Sequence, residues 1–142
     1  MARKGRRNMT VWIIVIVIVI GLLATGAVLY TKLSREHAEA RNVTLDGADF
    51  SKLKDGIFTG FYEGGMYKWR ANEVKVTVNS GKVTDIQQTS TKDPAADKFD
   101  KELLYKRVID SQSLQVDTIS SATLTSKAYL KAIEDALIKA QQ

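Results

Sequence analysis

The stretch that decides the fold is E73-V-K-V-T-V-N-S-G-K-V-T-D-I-Q-Q88. Val74, Val76 and Val78 alternate with Lys75 and Thr77, so one face of an extended segment is apolar and the other polar. Val83 and Ile86 resume the apolar positions after Asn79-Ser80-Gly81. That triplet is read as a type I turn closed by a glycine in the left-handed region. The pattern predicts an antiparallel hairpin with one buried face, and the rest of the domain has to supply what buries it.

Upstream lies D55-G-I-F-T-G-F-Y-E-G-G65. Ile57, Phe58, Phe61 and Tyr62 are strand formers, while Gly56, Gly60, Gly64 and Gly65 mark turns or close backbone approach. Downstream, residues 93–112 read as an amphipathic helix. Asp93 is the expected N-cap, Pro94 the first helical residue, and Ala96, Phe99, Leu103 and Val108 the inward face. A second helix closes the chain, with Leu130, Ile133, Leu137 and Ala140 on one side. Strand, hairpin, helix, loop and helix make an α+β domain, a small antiparallel sheet packed with helices.

Ahead of the domain the chain changes character. From Val11 to Tyr30 there is no charged residue. Twenty helical residues extend about 30 Å, the thickness of a bilayer's hydrocarbon core. A lone span satisfies its backbone in lipid only as a helix. Trp12 and Tyr30 stand at the two ends, where amphipathic rings favour the interface. The expectation is one N-terminal transmembrane helix, the alternative being a signal peptide cut near Ala24–Gly26. Arg3, Lys4, Arg6 and Arg7 precede the span and place the N-terminus in the cytoplasm by the positive-inside rule. The expected organisation is a basic cytoplasmic segment over 1–10, an anchor over 11–30, an extracytosolic tether over 31–54 and a folded domain over 55–142.

Composition removes several function classes. There is no cysteine, which excludes disulfides, thiolate metal sites and thiol catalysis. His37 is the single histidine, so a histidine metal site or a Ser-His-Asp triad within the chain is not expected, and no metal ligands are assigned. The net charge of +5 is concentrated at the N-terminus. Of 21 basic residues four precede the span, leaving 17 against 16 acidic ones. The domain is therefore nearly neutral, which argues against a nucleic-acid surface.

Hydroxyl residues crowd before the last helix: Thr118, Ser120, Ser121, Thr123, Thr125 and Ser126. A helix N-terminus offers unpaired N–H groups and the positive end of the dipole, a setting that suits a phosphate. Thr123 can place its oxygen there, with Leu124, Thr125 and Ser126 supplying N–H groups, and small Ser121 and Ala122 let another molecule approach the backbone. Read from the residues alone, the commoner explanation of the same cluster is an N-cap followed by a polar loop.

Asp117, Thr118, Ile119, Ser120, Ser121, Ala122 and Thr123 resemble the attachment motif of the FMN-binding domain family, which has an aspartate, two variable residues, Ser or Thr, usually Gly, then Ala and Thr or Ser. The resemblance extends over about 85 residues through DGIFTG, VKVTVNSGKVTDI, DSQSLQVD and the closing AYLKAIEDALIKA. The family includes flavin-carrying components of the sodium-translocating NADH:quinone reductase and of the Rnf complex, together with small extracytosolic flavoproteins of bacteria. It implies a covalent FMN, joined to Thr123 by a phosphoester, in an electron carrier rather than a stand-alone enzyme. It also implies a flavin transferase that uses FAD and a divalent metal, and membrane or extracytosolic redox partners. Ser121 stands where the family usually has glycine. Asp117 is either a recognition element for the transferase or a loop-stabilising acceptor. Tyr62, Tyr67 and Trp69 either pack on the flavin ring or fill the sheet's core; Thr89, Ser90 and Thr91 either line the pocket or form a plain polar loop; Gln112 is a candidate hydrogen-bond partner of the flavin. Two other readings are a component of an ion-translocating respiratory complex and a flavin-free surface domain.

Overall fold

The computed structural model describes residues 3–94 and 96–142. The expected segment 1–10 begins with two residues that lie outside the described ones. The chain divides at Arg35/Glu36 into two compact units. The first is almost wholly helix: α1 runs Arg3–Arg41, so its last residues belong to the second unit. Every residue from Met9 to Arg35 is exposed, including Trp12 at 67% and Leu22 at 68%. Among the described residues, α1 is the one helix long and apolar enough to cross a membrane.

The second unit carries the sheet. Strands β1 (Gly56–Tyr62), β2 (Asn72–Asn79) and β3 (Lys82–Thr91) form a three-stranded antiparallel sheet in that order. The predicted alternation is present: Val74, Val76, Val78, Val83 and Ile86 are all buried on one face. The turn differs from expectation. Asn79 pairs with Lys82, and Ser80 and Gly81 both have positive φ, 53° and 71°. That is the signature of a two-residue type I′ turn, whose twist matches the strands. Strand β3 holds two more residues than its partner needs. The register jumps from Val78↔Val83 to Thr77↔Asp85, and from Val74↔Gln88 to Glu73↔Ser90, leaving bulges at Thr84 and Thr89.

Helices α2 (Lys101–Ser111) and α3 (Thr123–Ala140) pack on the buried face. In α3 the predicted Leu130, Ile133, Leu137 and Ala140 are buried, and so is Tyr129. Full burial of such a side chain stabilises by about 1.5–3 kcal/mol. Gly60 lets α3 approach β1: a Cβ there would stand 2.0 Å from the Ala132 carbonyl oxygen. The start of α2 is a correction. Asp93 and Pro94 lead into a short 3-10 turn, Ala96–Lys98, and α2 begins at Lys101. Its cap is Asp100, whose side chain accepts from the Leu103 N–H at 3.0 Å. The shifted start rotates the inward face: Leu104, Tyr105 and Val108 are buried while Leu103 is 40% exposed.

The tether is also shorter than expected. Leu53 is buried in the core, with Leu45, Ala48 and Phe50 packed against it. Glu36, at 2% exposure, is part of the same unit. Residues 36–54 therefore belong to the compact body, because scattered apolar side chains in a polar stretch find the core without any periodic pattern.

Candidate functional site

The hydroxyl cluster is divided by burial. Thr123 opens α3 and is exposed, as are Ser120 and Ser121, whereas Thr125 and Ser126 are buried. The buried pair is engaged in structure. Thr125 donates its hydroxyl to Asp93 Oδ2 at 3.0 Å. Ser126 Oγ accepts from the Ile119 N–H at 3.0 Å, and the Ser126 N–H donates to the Ala122 carbonyl at 2.8 Å. Ser126 is thus not one of the open N–H donors, contrary to the expectation from sequence. Ala122 occupies the N-cap position with φ −130° and ψ 32° and gives no side-chain cap. The first turn of α3 therefore starts with an exposed hydroxyl and with no side-chain acceptor over its N–H groups.

The loop before it is held from both helices. Arg107 on α2 donates to the carbonyl of Asp117 at 2.6 Å and to that of Thr118 at 3.3 Å. Asp117 thus serves as an acceptor through its main chain, while its side chain is exposed. The Ala122 N–H donates to the Ile119 carbonyl at 3.0 Å, closing a turn around Ser120 and Ser121. Within that turn Ser121 has φ +62°, the left-handed conformation that glycine adopts without penalty.

One end of the sheet reaches the N-terminal half of α3. Asn72, 1% exposed, donates through Nδ2 to the carbonyls of Ala128 at 3.2 Å and Arg70 at 3.0 Å. The Lys92 N–H donates to the Ala71 carbonyl at 2.8 Å, and Asp93 follows it in sequence. Residues 63–71, which connect β1 and β2, and the end of β3 are therefore brought to the same region as Thr125. Tyr67 and Trp69 lie on this connection, their ring centroids 5.5 Å apart at 31°. Trp69 is 39% exposed, so it is a surface ring and not part of the core. Thr89 sits at the second bulge and gives its hydroxyl to Glu73 Oε1 at 2.6 Å. Ser90 is exposed, and Thr91 Oγ accepts from the Asp93 N–H at 3.0 Å.

Two candidates stand apart. Tyr62 is half-buried and packs against the core cluster. Burial first, then the carboxylates of Glu36 and Glu39, push its phenol above the usual value, with Arg70 opposing. Those carboxylates also hold the β1–β2 connection: Glu39 accepts from the Met66 N–H at 2.8 Å and Glu36 from the Tyr67 N–H at 3.3 Å. Gln112 lies at the other, hairpin end of the sheet. Its amide accepts from the Val83 N–H at 2.9 Å and donates to the carbonyls of Val83 and Ile109 at 2.8 and 2.7 Å. It ties the end of α2 to the outer edge of β3, which accounts for its amide without a flavin.

The arrangement fits a phosphoester. An exposed secondary hydroxyl stands at an uncapped helix start, where the dipole and the first-turn N–H groups favour an anion. Two concavities, of about 520 and 430 Å³, are lined by other residues than 117–126, and Thr123 itself is exposed. Among the described residues no group of three or more His, Asp or Glu side chains is placed to hold a metal ion. Sequence reasoning missed Arg107 and Asp93 as supports of this loop. Nothing in their spacing distinguishes them, and Asp93 before Pro94 has the look of a helix cap.

The FMN-binding domain family matches the chain over residues 68–138. Among solved structures, a crystal structure of a Clostridium perfringens protein shares the fold. It is 21% identical, with a TM-score of 0.50, over 63% of this chain and 89% of that one. None of the curated proteins matches.

Proposed function

The chain belongs to the FMN-binding domain family and so has a flavin-binding function, and from that premise we propose that it is a membrane-anchored, extracytosolic electron carrier whose FMN is linked covalently to Thr123. The observation that carries the reading is the exposed Thr123 hydroxyl at the uncapped start of α3. Thr125, two residues on, is buried against Asp93 and is closed to a transferase. In the attachment step Thr123 Oγ1 forms a bond to the flavin-side phosphorus of FAD. The pyrophosphate link breaks, AMP leaves and the hydroxyl proton is released. A flavin transferase with its divalent metal supplies the catalysis.

The flavin supplies the redox chemistry when bound. The chain's own residues hold and orient it. The first-turn N–H groups of α3 and the helix dipole stabilise the phosphate charge. Arg107 fixes the approach loop, and Ser120, Ser121 and Ala122 keep its surface low. Tyr67 and Trp69 offer a partly exposed aromatic pair at the same end of the sheet. Covalent attachment relieves the site of the need for tight enclosure, in keeping with the exposure of Thr123. Outside the cytoplasm it also prevents loss of a dissociated cofactor. The apolar run of α1 serves as the anchor, and the basic residues before it put the domain on the far side of the membrane.

The test is peptide mapping of the full chain co-produced with a flavin transferase. Thr123→Ala loses all covalent flavin and Thr123→Ser retains it. Flavin found on Thr125, or persisting in Thr123→Ala, overturns the assignment.

A further inference from the structure

The chain enters the folded unit at Glu36, and the first carboxylates it brings there hold the connection between β1 and β2. Glu36 accepts from the Tyr67 N–H at 3.3 Å and lies 3.7 Å from the Arg70 guanidinium, while Glu39 accepts from the Met66 N–H at 2.8 Å. Gly65 admits them: a Cβ there would stand 2.9 Å from Glu39 Oε2 and 3.2 Å from the Glu36 carboxylate oxygens. Residues 63–71 are therefore fixed beside the point where the chain joins the unit.

The connection reads M66-Y-K-W-R70. Met66 is 58% exposed, and Lys68 and Trp69 are exposed with it. Phe61 is exposed at the end of β1 and borders, together with Met66, the concavity of about 430 Å³. Apolar side chains gathered on a surface mark a contact. The mixture here is that of a membrane–water interface, where indole rings settle at headgroup level and a lysine lays its stem on apolar surface and its charge in the polar layer.

The length of chain names the occupant. The uncharged run ends at Tyr30, and only residues 31–35 separate it from Glu36. Fully extended, that link reaches no more than about 20 Å. A body the size of residues 36–142 has a radius of gyration of roughly 13 Å, so part of its surface lies against the headgroups. The connection is the exposed apolar surface attached to the end of the link.

We infer that residues 66–69 are a membrane-surface contact, with Met66 and Trp69 in the interfacial layer of the extracytosolic leaflet and Lys68 at the lipid phosphates. The neighbouring carboxylates are held within the fold. Glu36 and Glu39 face the main chain and Arg70, and Asp135 accepts from the Phe61 N–H at 2.9 Å and from Lys139 at 2.8 Å. Glu63, exposed at the start of the connection, bounds the contact on that side. The inference rests on the reading of α1 as a membrane anchor and does not depend on flavin attachment.

Quenching by brominated lipid tests it, because each of the two tryptophans reports on one reading. The full chain, made without a transferase, is reconstituted in phosphatidylcholine–phosphatidylglycerol vesicles whose acyl chains carry bromine just below the headgroups. Trp69→Phe leaves Trp12 as reporter of the anchor, and Trp12→Phe leaves Trp69 as reporter of the connection. Both reporters lose about half of their emission or more relative to unbrominated vesicles, as interfacial rings should. In the Trp12→Phe chain, Met66→Asp with Lys68→Asp restores at least about half of the lost Trp69 emission by removing the apolar and the basic contact. Both positions are exposed, and aspartate tolerates the φ of +57° at residue 68, so the fold is kept. Quenching of Trp12 with Trp69 unquenched overturns the contact and leaves the anchor standing. If neither is quenched, the anchor reading fails and this inference fails with it. Trp69 quenching undiminished in the double variant overturns the assignment to this connection.

Discussion

Replacing Ser121 by glycine should stabilise the protein and speed flavin attachment. Ser121 holds φ +62° in the turn ahead of α3. A residue with a Cβ pays roughly 1–2 kcal/mol for the left-handed conformation. Glycine removes that penalty, but its freer unfolded chain returns about 0.5–1 kcal/mol. The expected net gain is about 0.5–1 kcal/mol. Ser121→Val is the opposing perturbation: a β-branched side chain at positive φ is a steric outlier, and a loss of about 1–2 kcal/mol is expected. Urea unfolding of the full chain in micelles, followed by near-ultraviolet circular dichroism, measures both. Attachment is read from intact mass during incubation with FAD and limiting transferase. One kcal/mol corresponds to about a five-fold change in a population, so Ser121→Gly should be labelled at least as fast as wild type and Ser121→Val about five-fold more slowly or worse. A valine variant as stable and as readily labelled as wild type, with a glycine variant that is weaker, refutes the dependence on a left-handed residue 121.

Thr125→Val should lower stability by about 1–3 kcal/mol, since it deprives the buried Asp93 carboxylate of a hydroxyl donor at 3.0 Å, yet covalent flavin should remain on Thr123; urea unfolding and peptide mapping of the same variant check the two halves. Alkaline titration should find Tyr105 ionising only as the protein unfolds, because burial, with minor help from Tyr129 and Glu102, raises its pKa above the ordinary 10.0. Below that value both states are neutral and its contribution is intact. Above it only the unfolded state sheds the proton, so stability falls by up to about 1.4 kcal/mol per pH unit, and Tyr105→Phe should flatten that decline in urea midpoints measured across the range.

The fold was legible where periodicity is strong. The valine alternation over 74–78 and the apolar face of α3 place the sheet and the helix that covers it, since one-sided burial requires those spacings. The misreadings lie where local signals compete. Asp93-Pro94 has the chemistry of a helix start, but the chain spends those residues on a 3-10 turn, and Asp100 takes the capping role. Ser80-Gly81 adopts a tighter turn than the triplet implied, because the twist of the paired strands selects it. Residues 36–54 looked like a tether because their apolar side chains follow no period; Leu53 lies in the core and Leu45, Ala48 and Phe50 pack against it, contacts that only the tertiary fold supplies.

The hydroxyl cluster ahead of α3 was legible in the sequence, and its division by burial was not. The chemistry of a helix start leaves Thr123 and Thr125 as two similar threonines, and only the spacing of the motif after Asp117 singles out Thr123. Burial separates them, and it does so through a residue 32 positions away: Asp93 turns Thr125 inward, while Ala122 leaves the cap position without an oxygen and Thr123 in solvent. The same logic places the loop in front of them. Arg107 grips two carbonyls, Ser126 grips the Ile119 N–H, and the chain between these anchors must reverse within a few residues. That reversal forces a positive φ on Ser121. A positive φ at residue 121 gives a backbone reason for the glycine usual in the family's motif, and the serine in this chain bears a conformational cost at the position next but one to Thr123.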